Sequence, residues 1–174
     1  MRVGVLVAAV VCFAGALGAQ PPAEAFTSLD GKYTARFPGK PKVAAPQTAR
    51  TALGDLQVNV TTYATADASV FMVSHTDYPA AATKAENRKT LFDGVRDGVK
   101  GSKGEVVSDK DIEFGAGKLP GREVVVDKDK GKQRVRFRAV LRDNRLYQVC
   151  VVGTPEFVAG KDATAFLDSL ELTK

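Results

Sequence analysis

The sequence predicts an α+β domain in which an antiparallel sheet of about six to eight strands carries packed helices. Three observations lead to this fold class. The stretch from Gly131 to Gly153 alternates apolar and polar residues on both sides of a turn at Asp143-Asn144. Other alternating stretches are joined by short Gly-containing turns, and two segments change to a helical period of 3.6 residues. The resulting order of strands, helix, strands and helix is typical of hairpin-linked strands with helices on the sheet.

The N-terminal segment has the three-part pattern of a secretory signal peptide. Arg2 precedes an uncharged apolar run, and small residues end that run before a Pro-containing polar segment. We predict a signal peptide over residues 1–19 with cleavage after Ala19, a short tether over residues 20–25, and a single domain over residues 26–174. An uncleaved N-terminal anchor is the alternative. We therefore expect a secreted protein of the periplasm or extracellular space, without a transmembrane segment after cleavage.

Cysteine usage indicates a domain that is held together by its core. Cleavage removes Cys12 and leaves Cys150 alone, so the mature chain cannot form an intramolecular disulfide bond. The alternation around Cys150 places its side chain in the core.

The first half of the domain contains predicted strands and hairpins. Asp30-Gly31 is a two-residue hairpin signal, followed by alternation over residues 33–37. Residues 43–49 predict an irregular surface crossing. Gly54-Asp55 predicts a second hairpin, and residues 69–78 predict a more central strand because their first part is continuously apolar.

A helix is predicted next, from a change of period after Pro79. Thr83 and Glu86 have the spacing of a capping box at a helix start. Gly94 and Gly98 inside the helix each cost about 1 kcal/mol relative to Ala, so the helix requires packing on the sheet. The face expected to pack contains Ala85, Leu91, Phe92, Val95 and Val99.

The second half returns to strands and ends in a helical segment. Residues 115–121 superficially suggest a phosphate-binding loop, but their spacing is wrong, and a hairpin loop between two strands is predicted. The final meander begins with residues 122–127. Thr154-Pro155-Glu156 is a helix-start signature, and Gly160 is expected to divide the segment into a turn and a helix.

Four segments resemble one known family. They read DGKYTARFPGKP from Asp30, GREVVVD from Gly121, RFRAVLRDNRLYQVCVV from Arg136, and FLDSLEL from Phe166. In these phrases and their order the chain resembles PsbP-like domains and the DcrB-like bacterial envelope proteins that share the fold. The resemblance implies a sheet sandwiched by helices in a secreted or envelope-attached protein that serves as an accessory or binding module. It carries over no catalytic or metal-binding residue.

Positive charge is concentrated in one stretch. From Lys128 to Arg145 there are eight Lys or Arg and two Asp, a net charge of +6. A two-residue turn at Asp143-Asn144 would place a row of arginines and an aromatic ring on one face of the hairpin. This surface, suited to carboxylate, sulfate or phosphate groups, is formed by Arg134, Arg136, Arg138 and Tyr147.

The preceding strand offers an alternative role for the same arginines. In the predicted register Asp127 lies opposite Arg134 and Glu123 lies opposite Arg138, so cross-strand ion pairs would neutralise them. Arg136 faces an apolar residue and is the arginine without an evident partner. The two hypotheses are thus a module that binds an unidentified protein or anionic envelope component, and a purely structural envelope component.

An enzyme is the least favoured class. His75 and Asp77 share a strand face and could form the catalytic pair of a hydrolase. A zinc site is not expected, because a single His cannot provide its three or four ligands. No nucleophile motif accompanies them. We expect no catalytic activity, no cofactor, no metal site and no specific nucleic-acid binding, for which aromatic platforms other than Tyr147 are missing.

Overall fold

The protein is built from two antiparallel sheets and the helices that cover them, in a computed structural model that describes residues 25–174. In chain order the strands of this range are β1 (Ala25–Ser28), β2 (Tyr33–Arg36), β3 (Lys42–Val43), β4 (Gln47–Thr51), β5 (Gly54–Ala64), β6 (Val70–Asp77), β7 (Glu105–Phe114), β8 (Leu119–Lys128), β9 (Gln133–Arg142), β10 (Arg145–Gly153) and β11 (Glu171–Leu172). The α-helices are α1 (Ala80–Thr83), α2 (Arg88–Lys100), α3 (Pro155–Ala159) and α4 (Lys161–Asp168). The α+β class with antiparallel pairing is confirmed.

The main sheet has eight strands, and their order in the sheet differs from their order in the chain. Its sequence of neighbours is β3-β5-β6-β10-β9-β8-β7, and β4 pairs with the other end of β5. β1, β2 and β11 form a second sheet of three strands. The predicted six to eight strands thus correspond to the main sheet, and the small sheet adds to that number.

The central hairpin has the predicted register. Leu141 pairs with Leu146 and Phe137 pairs with Cys150, as a two-residue turn at Asp143-Asn144 requires. Asp143 adopts the positive φ of 57° that this turn type demands. On the other edge of β9, Glu123 lies opposite Arg138 and Asp127 opposite Arg134, so this predicted pairing is also confirmed.

The two faces of the main sheet bury separate apolar clusters. On the first face, called the C-terminal face, α3, α4 and the small sheet cover the β6 and β10 side chains. This cluster contains Tyr33, Ala35, Phe37, Phe71, Val73, Tyr147, Val149, Val151, Val158, Ala163, Phe166, Leu167 and Leu170. On the second, called the α2 face, Leu91 and Phe92 of α2 pack with the sheet residues Val124, Val126, Val135, Phe137, Ala139, Leu141, Leu146 and Cys150. The protein is therefore a sandwich of three layers.

Two details of the first half differ from the expectation. The Asp30-Gly31 hairpin exists, but its loop has four residues, because Ser28 pairs with Tyr33. The supposedly irregular stretch 43–49 overlaps the strands β3 and β4, which pair with β5. Both strands are largely exposed, so no apolar alternation marks them in the sequence.

The helical segment begins differently from the prediction. The proposed capping box of Thr83 and Glu86 is wrong, because Thr83 ends the short α1 and its hydroxyl donates to the Ala80 carbonyl oxygen. A 3₁₀ turn over Ala85–Asn87 then leads into α2. The packing face is confirmed for Leu91 and Phe92, which are buried.

The ends of the other helices agree with the sequence. The Thr154 hydroxyl accepts a hydrogen bond from the Phe157 amide at 3.3 Å, which caps α3. Gly160 separates α3 from α4. Residues 115–118 form the loop between β7 and β8, since Phe114 pairs with Leu119.

The predicted signal peptide and residues 20–24 of the tether lie outside the described residues. β1 begins at Ala25 and forms the first strand of the small sheet. Among residues 25–174, no helix has the length and apolar character needed to cross a membrane.

Candidate functional site

The predicted arginine face is a ladder of ion pairs across β8 and β9. Arg134 forms a bidentate ion pair with Asp127. Its Nε donates to Oδ1 at 2.6 Å, and its Nη2 donates to Oδ2 at 2.8 Å. The hydrogen bond from Arg134 lowers the pKa of Asp127. This rung joins directly opposite residues, as the register predicts.

Glu123 serves two arginines at once. Arg138 Nε donates to its Oε2 at 2.6 Å, and Arg136 Nη2 lies 3.2 Å from both of its oxygens. Burial alone would raise the pKa of Glu123, but the hydrogen bond from Arg138 and the two positive charges outweigh burial and lower that pKa. Glu123 therefore remains ionised at the centre of the ladder.

Helix α4 closes the ladder from above. Arg136 Nη1 donates to Thr164 Oγ1 at 3.2 Å, and Arg138 Nη1 donates to Asp168 Oδ1 at 2.6 Å. The prediction that Arg136 lacks a partner is therefore wrong. The sequence could not indicate this partner, because Thr164 comes from a helix 28 residues further along the chain.

Tyr147 is on the predicted face of the hairpin, but other elements cover its side chain. Its side chain is fully buried in the cluster of the C-terminal face, with 0% of its surface exposed. Its hydroxyl accepts a hydrogen bond from Arg142 Nη2 at 3.1 Å. Tyr147 thus contributes to the core and cannot offer its ring to a partner in this conformation.

In the pair considered for hydrolysis, the carboxylate is bound by an arginine. Asp77 has both carboxylate oxygens hydrogen-bonded to Arg145, at 2.6 Å each. His75 packs between Tyr33 and Tyr147, with ring centroids 6.2 and 6.3 Å away. Burial, and then the positive charge of Arg145, lower the pKa of His75, so the ring is neutral at pH 7.

Cys150 is confirmed as a core residue on the α2 face. Only 4% of its surface is exposed, and burial raises the pKa of its thiol to about 12. A thiol in such surroundings is not a nucleophile at neutral pH. Within residues 25–174, no three His, Cys, Asp or Glu side chains are grouped as metal ligands.

A second charged cluster, between α2 and the edge of the main sheet, was not predicted. Arg122 is buried and donates from Nη1 to Asp93 Oδ1 at 2.6 Å and from Nε to Asp111 Oδ1 at 3.1 Å. Asp109 accepts from Arg96 at 3.1 Å. Asp109 and Asp111 lie on β7, and through Arg96 and Arg122 they help to hold α2 against the sheet.

A cavity of about 580 Å³ opens at one end of the α2 face. Its walls are the tip of the β4–β5 hairpin, α1 and the first half of α2. The lining residues are Thr51, Ala52, Leu53, Tyr78, Ala81, Ala82, Asn87, Thr90, Leu91, Gly94 and Val95. None of them carries a charge. No single feature of the sequence marks this opening, because Gly98 weakens α2 in the same way as Gly94 and does not line the cavity.

Comparison with known proteins identifies the fold. The chain is similar to the solution structure of cyanobacterial PsbP (CyanoP) from Synechocystis sp. PCC 6803, with a TM-score of 0.59 and 11% identity over 94% of this chain and 98% of that one. The PsbP-like fold that the resemblance implied is thereby confirmed. A weaker similarity connects 70% of this chain to 91% of PA94 from Pseudomonas aeruginosa, a protein of unknown function, with a TM-score of 0.44 and 12% identity. No protein-family model and no curated protein sequence matches the chain.

Proposed function

We propose that the protein is a non-enzymatic accessory domain of the cell envelope, exported by residues 1–19, that acts by binding a partner. One observation carries the proposal: the side chains that catalysis would need are engaged in the fold. Asp77 is held by Arg145, and Cys150 is buried in the core with a thiol pKa of about 12. The fold shared with cyanobacterial PsbP supports the architecture of such a domain. A shared fold does not by itself specify the chemistry of a protein.

The arginine ladder has a structural role in this proposal. Arg134, Arg136 and Arg138 are each paired with an acid of β8, and α4 contacts two of them. Arginines that have already exchanged water for carboxylates gain little from a further anion. Recognition of an anionic envelope component by this face is the second candidate. It is favoured by the remaining side-chain exposure of 26%, 20% and 17% for the three arginines.

The absence of catalysis is tested with His75→Ala. The purified protein and the variant are assayed on ester, phosphoester and peptide probes. We expect no turnover above background from either protein. Hydrolysis by the wild type that disappears in His75→Ala would overturn the proposal and restore the hydrolase hypothesis.

The second candidate is tested by retention on heparin-agarose in a salt gradient. Arg134→Gln/Arg136→Gln is compared with Lys130→Gln/Lys132→Gln, which removes the same charge from exposed lysines of the same hairpin. If the arginines are structural, the arginine variant elutes no earlier than the lysine variant. A markedly earlier elution of a correctly folded arginine variant, with folding checked by circular dichroism, would favour the anionic partner.

A further inference from the structure

We propose that the cavity between α1, α2 and the β4–β5 hairpin binds the alkyl chain of a fatty carboxylate, with its head group at the mouth beside Lys84. The inference rests on the proposed binding function and names a ligand class for it. The site is separate from the arginine ladder, which lies under α4 on the opposite face of the main sheet.

The size and lining of the cavity suit a single apolar chain. Its volume of about 580 Å³ lies within the ~300–1,000 Å³ of small-molecule sites, which are mostly apolar with a few polar groups. Leu91 and Val95 of α2 form one side, and Leu53 at the hairpin tip forms another. Leu53 is 49% exposed although it is apolar, so a ligand would remove its surface from water.

The wall of the cavity contains one hydroxyl that a ligand could reach. The Tyr78 side chain is half-buried, and burial raises its pKa. Within residues 25–174 its hydroxyl has no hydrogen-bond partner in the protein, and because no buried polar side-chain atom of this range lacks a partner, the hydroxyl is open to water. Asn87 donates from its amide nitrogen to the Ala81 carbonyl oxygen at 2.8 Å, which ties two lining residues of the wall together. An oxygen atom of a mostly apolar ligand would accept a hydrogen bond from the Tyr78 hydroxyl in place of water.

The charges around the cavity indicate where the carboxylate lies. None of the lining residues is charged, and burying an unpaired carboxylate among them would be very unfavourable. Lys84 stands in the connection between α1 and α2, between the lining residues Ala82 and Asn87, and it is exposed. It makes no ion pair with the residues of the described range. Of the three basic residues from Pro79 to Leu91, Lys89 is paired with Asp93 at 2.7 Å, and Arg88 and Lys89 line a different cavity, so Lys84 is the base available to an anion at this rim.

Two glycines of α2 provide a matched pair of variants. Gly94 lines the cavity, and a Cβ built on it meets no atom within 4 Å. Gly98, one turn later, is equally unobstructed and does not line the cavity. Gly94→Leu therefore fills the site, whereas Gly98→Leu adds the same side chain elsewhere on the helix. Both changes raise helix propensity, so neither should impair folding.

The experiment is calorimetric titration of the purified protein with dodecanoate below its micellar concentration. Wild type and Gly98→Leu should bind one equivalent with similar affinity, and Gly94→Leu should bind at least tenfold more weakly. Lys84→Gln should weaken dodecanoate binding severalfold and leave binding of dodecanol unchanged. Butyrate, which is too short to fill the cavity, should not bind.

Several results would overturn the inference. Dodecanoate could fail to bind the wild type, or could bind Gly94→Leu as tightly. Dodecanol could bind as well as dodecanoate, which would remove the role of the carboxylate. A wild type that self-associates, is made monomeric by Gly94→Leu and ignores dodecanoate would identify the cavity as a protein interface. None of these results bears on hydrolysis, so failure of the site is distinguishable from failure of the proposed function.

Discussion

The two faces of the main sheet are closed to different degrees. On the C-terminal face, α3, α4 and the small sheet cover an apolar cluster, and the arginines at its margin are paired with acids. On the α2 face, α2 with its two unobstructed glycines leaves a cavity at one end. The face with the conspicuous charges in the sequence is thus the closed one. The concentrated charge of the sequence belongs to a structural ladder, and the opening is lined by uncharged residues.

The largest expected difference between the faces is the loss of unfolding free energy when a buried apolar side chain is replaced by Ala. Phe166→Ala should lower the free energy of unfolding by about 3–5 kcal/mol, because its ring is 2% exposed and lies 4.9 Å from the ring of Phe37 and 5.1 Å from that of Phe71. Leu91→Ala should cost about 2 kcal/mol, since Leu91 already borders a cavity. Urea denaturation measures both. Equal losses would show that the α2 face is packed as tightly as the C-terminal face.

Next in size is the effect of removing the shared carboxylate of the ladder. Glu123→Ala leaves Arg136 and Arg138 without their common acid and should cost about 2 kcal/mol, between the values for exposed and fully buried pairs. Asp127→Ala frees only Arg134 and should cost less than about 1 kcal/mol. The denaturation midpoints of the two variants give the comparison. A larger loss for Asp127→Ala would contradict the central position of Glu123.

The smallest expected effect is the pH dependence caused by His75. Its pKa is lowered in the folded protein, so below pH ~6.5 the unfolded chain binds a proton that the folded chain does not. Stability should therefore fall as the pH decreases from ~6.5 toward the folded pKa. His75→Gln should remove this part of the slope, which urea denaturation across that pH range measures.

A pH dependence near pH ~6.5 can be assigned to His75, because it is the only histidine of the chain. Arg145, Asp77 and Asp30 are the charged groups that act on it, and Asp77 already has a lowered pKa because Arg145 donates to it. An unchanged slope in His75→Gln would show that the carboxylates, rather than the imidazole, produce the pH dependence.

Local rules predicted those parts of the fold that depend on neighbouring residues. The turn at Asp143-Asn144 determined the register of β9 with β10, and the period of two determined which side chains share a face. The pairs of Asp127 with Arg134 and of Glu123 with Arg138 followed from the same register. The exposed strand β3 and the start of β4 were missed, because a strand without a buried face shows no alternation.

The parts of the candidate sites that depend on distant elements could not be predicted. Alternation places Tyr147 on a face but does not reveal that other elements cover this face. Arg136 was judged by the residue directly opposite, although its long side chain reaches Glu123 diagonally and Thr164 on a helix. The cavity exists because three separate elements meet around Tyr78, and no spacing within one element encodes such a meeting.

The strand order has a consequence for how the chain reaches its folded state. β10 lies between β6 and β9, so Val152 pairs with Val70, and Glu171 of the last strand pairs with Thr34. Such distant pairings give a high contact order, and proteins of this kind fold on the order of milliseconds to seconds. The first half of the main sheet cannot be completed until residues 145–153 have been synthesised. If residues 1–19 direct export, the chain would stay unfolded, and so competent for translocation across a membrane, until its C-terminal strands are available.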